Sequence, residues 1–184
     1  MTALSTAAWV AHDLSLAVGV GGSLFGRMAL EPSMSKIADR EERGMVVNDA
    51  WRRFGMVQLG ALGVMGGTWL LGRLKLTGWE VDAESRALVV AKDVLVGTTL
   101  ATAIGAAVAG SRMAAQRPEG AVPMNSEGEA AADAPPKARA LGRTTDAFGL
   151  VNLLAGAGVV ALTTILAMRA GQSSRWSLVS RFLP

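Results

Sequence analysis

Four long apolar stretches constrain the fold of this 184-residue chain more than any other feature. They cover residues 7–29, 54–71, 87–110 and 147–168. A helix that crosses the hydrocarbon core of a bilayer needs about 20 mostly apolar residues, and each stretch meets or approaches that length. The stretches are also rich in Gly and Ala, which suits close helix packing in membranes. The sequence therefore predicts an all-α integral membrane protein with four membrane-spanning helices.

The composition excludes several other classes of protein. Hydrophobic residues make up 51% of the chain and charged residues 18%, whereas disordered chains combine low hydrophobicity with high net charge. The chain has no Cys and one His, which excludes a disulfide framework, a zinc–thiolate site and a closed metal site within one chain. No nucleophile stands where it could use the single His, so we expect no enzymatic activity.

Lysine and arginine residues predict the orientation, because cytoplasmic connections are enriched in them. Eleven basic residues flank or fill the first and third connections, and six lie on the opposite side. We therefore expect both termini outside and these two connections in the cytoplasm, in a bacterial inner membrane. This distribution explains the basic residues without nucleic acid, and it makes anionic lipid headgroups the expected partner.

The aromatic residues agree with this orientation, because Trp favours the membrane–water interface. Four of the five tryptophans fall on the predicted outer side, namely Trp9, Trp69, Trp79 and Trp176, and only Trp51 falls on the inner side. The segment before the first span lacks the basic residues of a secretory signal, so the first span is expected to be retained.

Residues 34–53 form the first connection and leave two interpretations open. Val47, Ala50 and Trp51 share one helical face, and Arg52 and Arg53 lie beside it. This pattern fits an amphipathic helix on the cytoplasmic interface. It fits equally a second span that begins further upstream.

Two further segments differ from the spans. Residues 113–143 contain four of the six prolines together with Ala, Gly and balanced charges, which predicts a mobile linker that buries no core. Residues 171–184 mix apolar residues, including Trp176, with Arg175 and Arg181. This amphipathic tail is predicted to be an interfacial anchor or a partner-binding segment.

The two halves of the chain resemble each other, which indicates an internal duplication. His12-Asp13 in span one matches Lys92-Asp93 in span three, and Phe54-Gly55 in span two matches Phe148-Gly149 in span four. The two matches have different offsets, and the difference falls in the linker, where an insertion costs little. Two parallel two-helix repeats, 1–75 and 85–170, would assemble most simply as a four-helix up-down transmembrane bundle.

Small residues recur at helical spacing along three of the spans. They predict tight helix packing, inside the bundle or in a homodimer. The predicted packing residues are Gly22, Gly26, Gly63, Gly67, Gly97, Ala101, Gly105 and Ala109.

Four ionisable residues inside the spans form the principal candidate site. His12, Asp13, Lys92 and Asp93 lie about 8 Å from the outer ends of their spans, at 1.5 Å per residue. Charges in hydrocarbon are costly, which makes such residues functional candidates. Asp13 is expected to pair with Lys92, and Asp93 with His12. The cluster is then a latch between helices, a site that titrates near neutral pH, or a set of residues of which Lys92 simply extends to the interface.

A second polar pair is predicted at the inner ends of spans two and four. Gln58 and Asn152 are equivalent in the repeat and are expected to bond to each other or to backbone carbonyls. No cofactor is expected from the residues present. His12 alone remains a remote candidate for ligating haem or a chlorophyll-type pigment.

The segment from His12 to Phe25, followed by Pro32, a charged stretch and Phe54, resembles a group of small bacterial membrane proteins. These are four-helix proteins of unknown function, distantly related to the copper-resistance D membrane domain. The resemblance is confined to the N-terminal part of the chain, as far as the end of span two, and implies a four-helix architecture. A copper role is not expected, because this chain has one His and no clustered Met.

These observations lead to two functional hypotheses. The first is a non-enzymatic accessory or scaffolding subunit that packs against a larger membrane complex or a second copy of itself. The second is a small proton- or ion-coupled transporter or channel that uses His12, Asp13, Lys92 and Asp93.

Overall fold

The computed structural model describes residues 3–75 and 83–173, and four long helices dominate both ranges. They are α1 (Ala3–Phe25), α2 (Arg40–Lys75), α3 (Ala83–Ala114) and α4 (Pro136–Ser173). Each is long and apolar enough to cross a membrane. The predicted all-α fold with four membrane-length helices is therefore confirmed. Trp79 and Trp176 lie outside the described residues, as does most of the predicted tail 171–184.

Helices that follow each other in the chain pack side by side. α1 packs most extensively against α2, and α3 against α4, while narrower contacts join α1 to α4 and α2 to α3. An apolar core lies between the helices. In contact with water, the hydrophobic effect makes burial of such side chains the main term that stabilises a bundle. Its buried members are Leu16, Leu62, Met65, Val96, Ala103 and Val159.

A π-helical turn, Gly26–Leu30, widens the end of α1. The N–H of Glu31 bonds back to the carbonyl of Gly26, one residue further than in an α-helix. Pro32 explains the change, because its ring would crowd the carbonyl four residues earlier and it has no N–H to donate. The chain then turns through Glu31–Ser33 and Met34–Lys36 toward α2.

Helix α2 is one continuous helix of 36 residues from Arg40 to Lys75. Asp39 caps its start, since its carboxylate accepts hydrogen bonds from the N–H groups of Glu41 and Glu42 at 2.9 and 2.8 Å. Residues 40–53 are therefore continuous with the second predicted span, as the alternative of an upstream extension predicts, and an interfacial position for them stays a prediction. At 1.5 Å per residue α2 is about 54 Å long, well beyond a hydrocarbon core of about 30 Å.

The connection between α3 and α4 folds onto the ends of the helices. Val122 is 1% exposed and Met124 6%, and both belong to one buried apolar cluster with Met34 and Val47. The expectation that residues 113–143 bury no core is therefore wrong. The reason is that α2 and α4 extend past the apolar stretches and offer an apolar surface there. We call this region, residues 34–47 and 113–138, the cap.

Backbone hydrogen bonds and one arginine hold the cap together. The N–H of Met124 donates to the carbonyl of Arg40 at 3.0 Å. The Arg43 side chain donates to the carbonyls of Ile37 and Met124, at 2.6 and 3.3 Å. Gly44 lies against the backbone of Val122, where a methyl group would overlap the Val122 carbonyl. The cap thus fixes the start of α2 to the connection between α3 and α4.

Candidate functional site: a polar interior

The outer part of the bundle brings the other three predicted ionisable residues into electrostatic range of Lys92. His12 and Lys92 are buried, at 4% and 8% exposure. Asp13 acts on both of them through space, and Asp93 acts on Lys92. The predicted cluster is thus present as a group, although its partners differ from those expected.

His12 bonds to α2 through one ring nitrogen. Its Nδ1 lies 3.1 Å from Oγ1 of Thr68. Its other ring nitrogen, Nε2, is buried and has no hydrogen-bond partner among the described residues. Burying a nitrogen without a hydrogen-bond partner costs free energy. His12 Nε2 is therefore a position where a further polar group could form a hydrogen bond.

Lys92 reaches across to α1 and lies over an aromatic face. Its Nζ is 5.5 Å from the centre of the Trp9 ring, a cation–π distance. The same Trp9 ring stands edge-on to His12, with centroids 6.3 Å apart. Trp9 therefore connects the two buried basic residues of the cluster.

Asp93 binds α2 and does not bind His12. The indole Nε1 of Trp69 donates to its Oδ1 at 2.8 Å, and Arg73 forms an ion pair with its Oδ2 at 3.0 Å. The predicted Asp93–His12 pair is therefore wrong. The repeat suggested partners between α1 and α3, but α2 lies beside α3 and supplies both donors.

Asp13 points away from the bundle. It is exposed on α1, and no ion pair joins it to Lys92 within the ranges that the structure describes. The predicted Asp13–Lys92 pair is therefore also wrong. Neighbouring residues on a helix point about 100° apart, so burying His12 turns Asp13 outward.

The inner polar pair lies at the centre of a larger network. Gln58 Nε2 donates to Asn152 Oδ1 at 3.5 Å, so the two predicted amides do meet. Asn152 is 5% exposed, and its Nδ2 donates to the Thr99 carbonyl at 2.7 Å and to Thr102 Oγ1 at 3.2 Å. This network joins α2, α3 and α4.

A small cavity lies between the outer cluster and this network. It has a volume of about 10 Å³ and residues from all four helices line it, including Ser15 on α1, Thr99 on α3 and Asn152 on α4. Ser15 stands three residues after His12 on the buried side of α1. The cavity therefore lies between the two predicted polar groups.

The inner end of α1 carries a further polar group that sequence reasoning missed. Arg27 Nη2 donates to the carbonyl of Asp146 at 2.8 Å. It also lies 2.9 Å from the place where a side chain on Gly149 would begin, so this glycine makes room for it. The positive charge of Arg27 interacts with the carboxylates of Glu31 and Asp146. The sequence signal for this group was the spacing of four residues between Arg27 and Glu31, which is typical of an ion pair on one helix face.

These residues form one polar column along α1 and the turns that follow it. His12, Ser15 and Ser23 are buried on α1, and the half-buried Arg27 and Glu31 continue the column beyond Phe25. Most of them recur every three or four residues, or at twice that interval, which keeps them on one side of the helix. From His12 to Glu31 the helix rises about 28 Å. The column is thus about as long as the hydrocarbon core is thick.

The predicted packing glycines fall into two groups. Methyl groups on Gly22, Gly26 and Gly105 would overlap the rings of Phe54, Trp51 and Phe148, and Ala109 is buried. Methyl groups on Gly63, Gly67 and Gly97 would meet nothing within 4 Å, and Ala101 is exposed as these glycines are. The stripe on α2 and the first half of the stripe on α3 therefore do not pack inside the chain, whereas Gly105 and Ala109 in the second half of the α3 stripe do.

The predicted interfacial residues also divide. Trp51 is half-buried and packs against Gly26 and the cap core, and its interfacial place stays a prediction. Arg52 and Arg53 remain exposed, before the apolar stretch that begins at Phe54, and both bind Asp49 at 2.7 Å. These two hydrogen bonds hold the pKa of the Asp49 carboxyl below its usual value.

The site does not suit a metal or a tetrapyrrole. No group of three His, Asp or Glu side chains in the described part of the chain could hold a metal ion. His12 is covered by neighbouring helices, and the adjacent cavity of about 10 Å³ is far too small for a macrocycle. A haem or chlorophyll at His12 does not fit this packing.

No family model, no curated protein and no solved structure matches the chain. The resemblance of its N-terminal part to small four-helix membrane proteins therefore stays a prediction.

Proposed function

We propose that this chain is a non-enzymatic accessory subunit of the membrane, built from two parallel two-helix repeats. The packing of aromatic residues supports the repeats. Phe54 near the middle of α2 packs on Gly22 of α1, and Phe148 of α4 packs on Gly105 of α3. Each pair of helices thus uses the same aromatic-on-glycine contact.

The proposed orientation places both termini outside and the cap in the cytoplasm. Support comes from the eleven basic residues on the side of the cap, against six on the other side. Arg52 and Arg53 are exposed where the apolar part of α2 begins. They are placed to contact anionic lipid headgroups on the cytoplasmic side.

The accessory role rests chiefly on Asp13. Asp13 is exposed on α1, about 9 Å inside a span that begins near Ala7. Its neighbours on the same surface, Val10 and Leu14, are 52% and 63% exposed. A charged Asp at the centre of a span costs about 2.5–3.5 kcal/mol on the insertion scale, and a lipid-facing carboxylate at the shallower depth of Asp13 has a smaller cost of the same kind. A basic residue on a partner helix would remove that cost, so this face of α1 is proposed as the docking face.

A mild-detergent purification from native membranes tests this role. A stoichiometric membrane protein, or a second copy of the chain, should co-purify with the wild type and be lost with Asp13→Asn. Glu41→Gln is the control, because it removes the same charge from an exposed position in the first turn of α2. A partner retained by Asp13→Asn would refute docking through Asp13. A clean protein without any partner would refute the accessory role itself.

A second function, proton- or ion-coupled transport, is favoured by the polar column. Its members lie on α1 and on the turns that follow it, and their extent of about 28 Å approaches the hydrocarbon thickness. Histidine is the side chain whose ordinary pKa lies nearest neutrality, which makes His12 the candidate proton carrier. Proton transfer along the column needs a hydrogen-bonded chain rather than an open pore.

Proton flux into liposomes distinguishes the two functions. A transporter should lose flux with Asp93→Asn or His12→Phe while it remains folded. The cap variant Asp133→Asn should keep flux, because Asp133 lies in an exposed ion pair with Arg40 far from the column. Unchanged flux in the first two variants, or no flux in the wild type, would refute transport through the column.

A further inference from the structure

The central cavity has the size of one water molecule. Its volume is about 10 Å³, and a cavity needs at least roughly 10–15 Å³ to hold a water. All four helices contribute to its walls. The lining residues are Ser15, Leu16, Gly19, Val20, Leu62, Thr99, Asn152 and Gly156.

The polar side chains that line the cavity have used all their donors. Ser15 Oγ donates to the Ala11 carbonyl at 2.7 Å, and Thr99 Oγ1 donates to the Leu95 carbonyl at 2.8 Å. The two N–H groups of Asn152 donate to the Thr99 carbonyl and to Thr102 Oγ1. Each of the three side-chain oxygens still has a lone pair to offer. The lining therefore presents acceptors and no side-chain donor.

Such a lining selects the chemistry of its ligand. A methyl group fits the volume but donates no hydrogen bond. A metal cation small enough for this cavity takes about six oxygen ligands, commonly including carboxylates. The lining offers three side-chain oxygens and no carboxylate. Water fits the volume and has two protons to donate.

We propose that this cavity binds one water molecule, which donates hydrogen bonds to two of the oxygens of Ser15, Thr99 and Asn152. The water joins α1 to α3 and α4 at the centre of the bundle, where membrane helices gain from every satisfied polar group. Ser15 is one turn from His12, so the water extends the polar column between its outer and inner groups. The site stands on its own geometry and needs neither proposed function.

Gly19→Ala tests the site, because Gly19 lines the cavity and an added methyl group there meets nothing within 4 Å. Gly60→Ala is the matched control, since it also meets nothing within 4 Å but faces outward. Displacing a bound water leaves acceptors unsatisfied, so Gly19→Ala should lower the thermal unfolding midpoint relative to Gly60→Ala. Gly19→Ser should recover stability, because its hydroxyl can take the place of the water.

Nuclear magnetic resonance gives a direct readout in detergent micelles. In the wild type, magnetisation should pass from a long-lived water to the Asn152 side-chain amide, and Gly19→Ala should abolish the transfer. If Gly19→Ala does not fold, the same transfer is measured in the wild type and in Ser15→Ala, where it should weaken. An absent transfer in the wild type overturns the proposal. A midpoint for Gly19→Ala equal to or above that of Gly60→Ala also overturns it, since a dry cavity gains from filling.

Discussion

At the scale of single residues, Gly22 determines how closely α1 and α2 approach. A methyl group there would overlap the Phe54 ring, whereas the adjacent Gly21 has open space. We expect Gly22→Ala to destabilise the protein by about 1–3 kcal/mol, because overpacking forces the ring to move. Thermal unfolding in detergent, followed by tryptophan fluorescence, measures the change. Gly21→Ala is the control, and an equal loss in both variants would contradict close packing at Gly22.

Asn152 carries more of the inner network than Gln58 does. It is buried and donates at 2.7 and 3.2 Å, while the Gln58 contact is 3.5 Å long. Asn152→Leu is therefore expected to cost roughly 0.5–2 kcal/mol of stability, and Gln58→Leu less. The same unfolding measurement ranks the two variants. A larger loss with Gln58→Leu would contradict the assignment of Asn152 as the centre of the network.

The sequence predicted that these polar residues lie together but not which partners they bind. The repeat puts His12 and Lys92 at one level, and the structure brings both into the same cluster. Their contacts with Thr68 and Trp9, and the bonds of Asp93 to Trp69 and Arg73, depend on which helix lies beside which. A repeat in the sequence carries no information on that arrangement.

At the scale of elements, the cap is where α2 meets the connection between α3 and α4. Gly44→Ala should push the Val122 backbone away, because the methyl group would overlap its carbonyl. We expect the connection to be cut more readily after Glu127 by a glutamate-specific protease, since a displaced loop loses its protection. Limited proteolysis in detergent measures this. Gly55→Ala, which meets nothing within 4 Å, should leave cleavage unchanged, and resistance of the Gly44 variant would contradict the contact.

The apolar stretches predicted the four helices but not the cap. A span can be recognised in a sequence because the hydrocarbon core requires a continuous apolar run. For α2 this run begins only at Phe54, so it gives no sign of the helix upstream. The start of α2 at Arg40 depends instead on capping by Asp39, a local signal that the membrane pattern hides. Burial of Val122 and Met124 depends on contacts with α2 and with other distant parts of the chain, which composition does not show.

At the scale of the whole molecule, every proposed function depends on how the bundle crosses the membrane. Asp13 can dock a partner helix only if α1 lies in the bilayer, and the polar column can link two compartments only if the cap and the outer cluster lie on opposite sides. The orientation follows from basic residues, because positive charge is retained in the cytoplasm. The chain has no Cys, so single cysteine substitutions report on their own positions alone.

Cysteine labelling with a membrane-impermeant maleimide in intact cells tests this most directly. The account predicts that Ser5→Cys and Glu84→Cys, near the starts of α1 and α3, react before permeabilisation. It predicts that Ser35→Cys and Ser126→Cys, both exposed in the cap, react only after permeabilisation. Reaction of the cap positions in intact cells, with the other two protected, would show the opposite orientation. Reaction of all four in intact cells would contradict a bundle that spans the membrane.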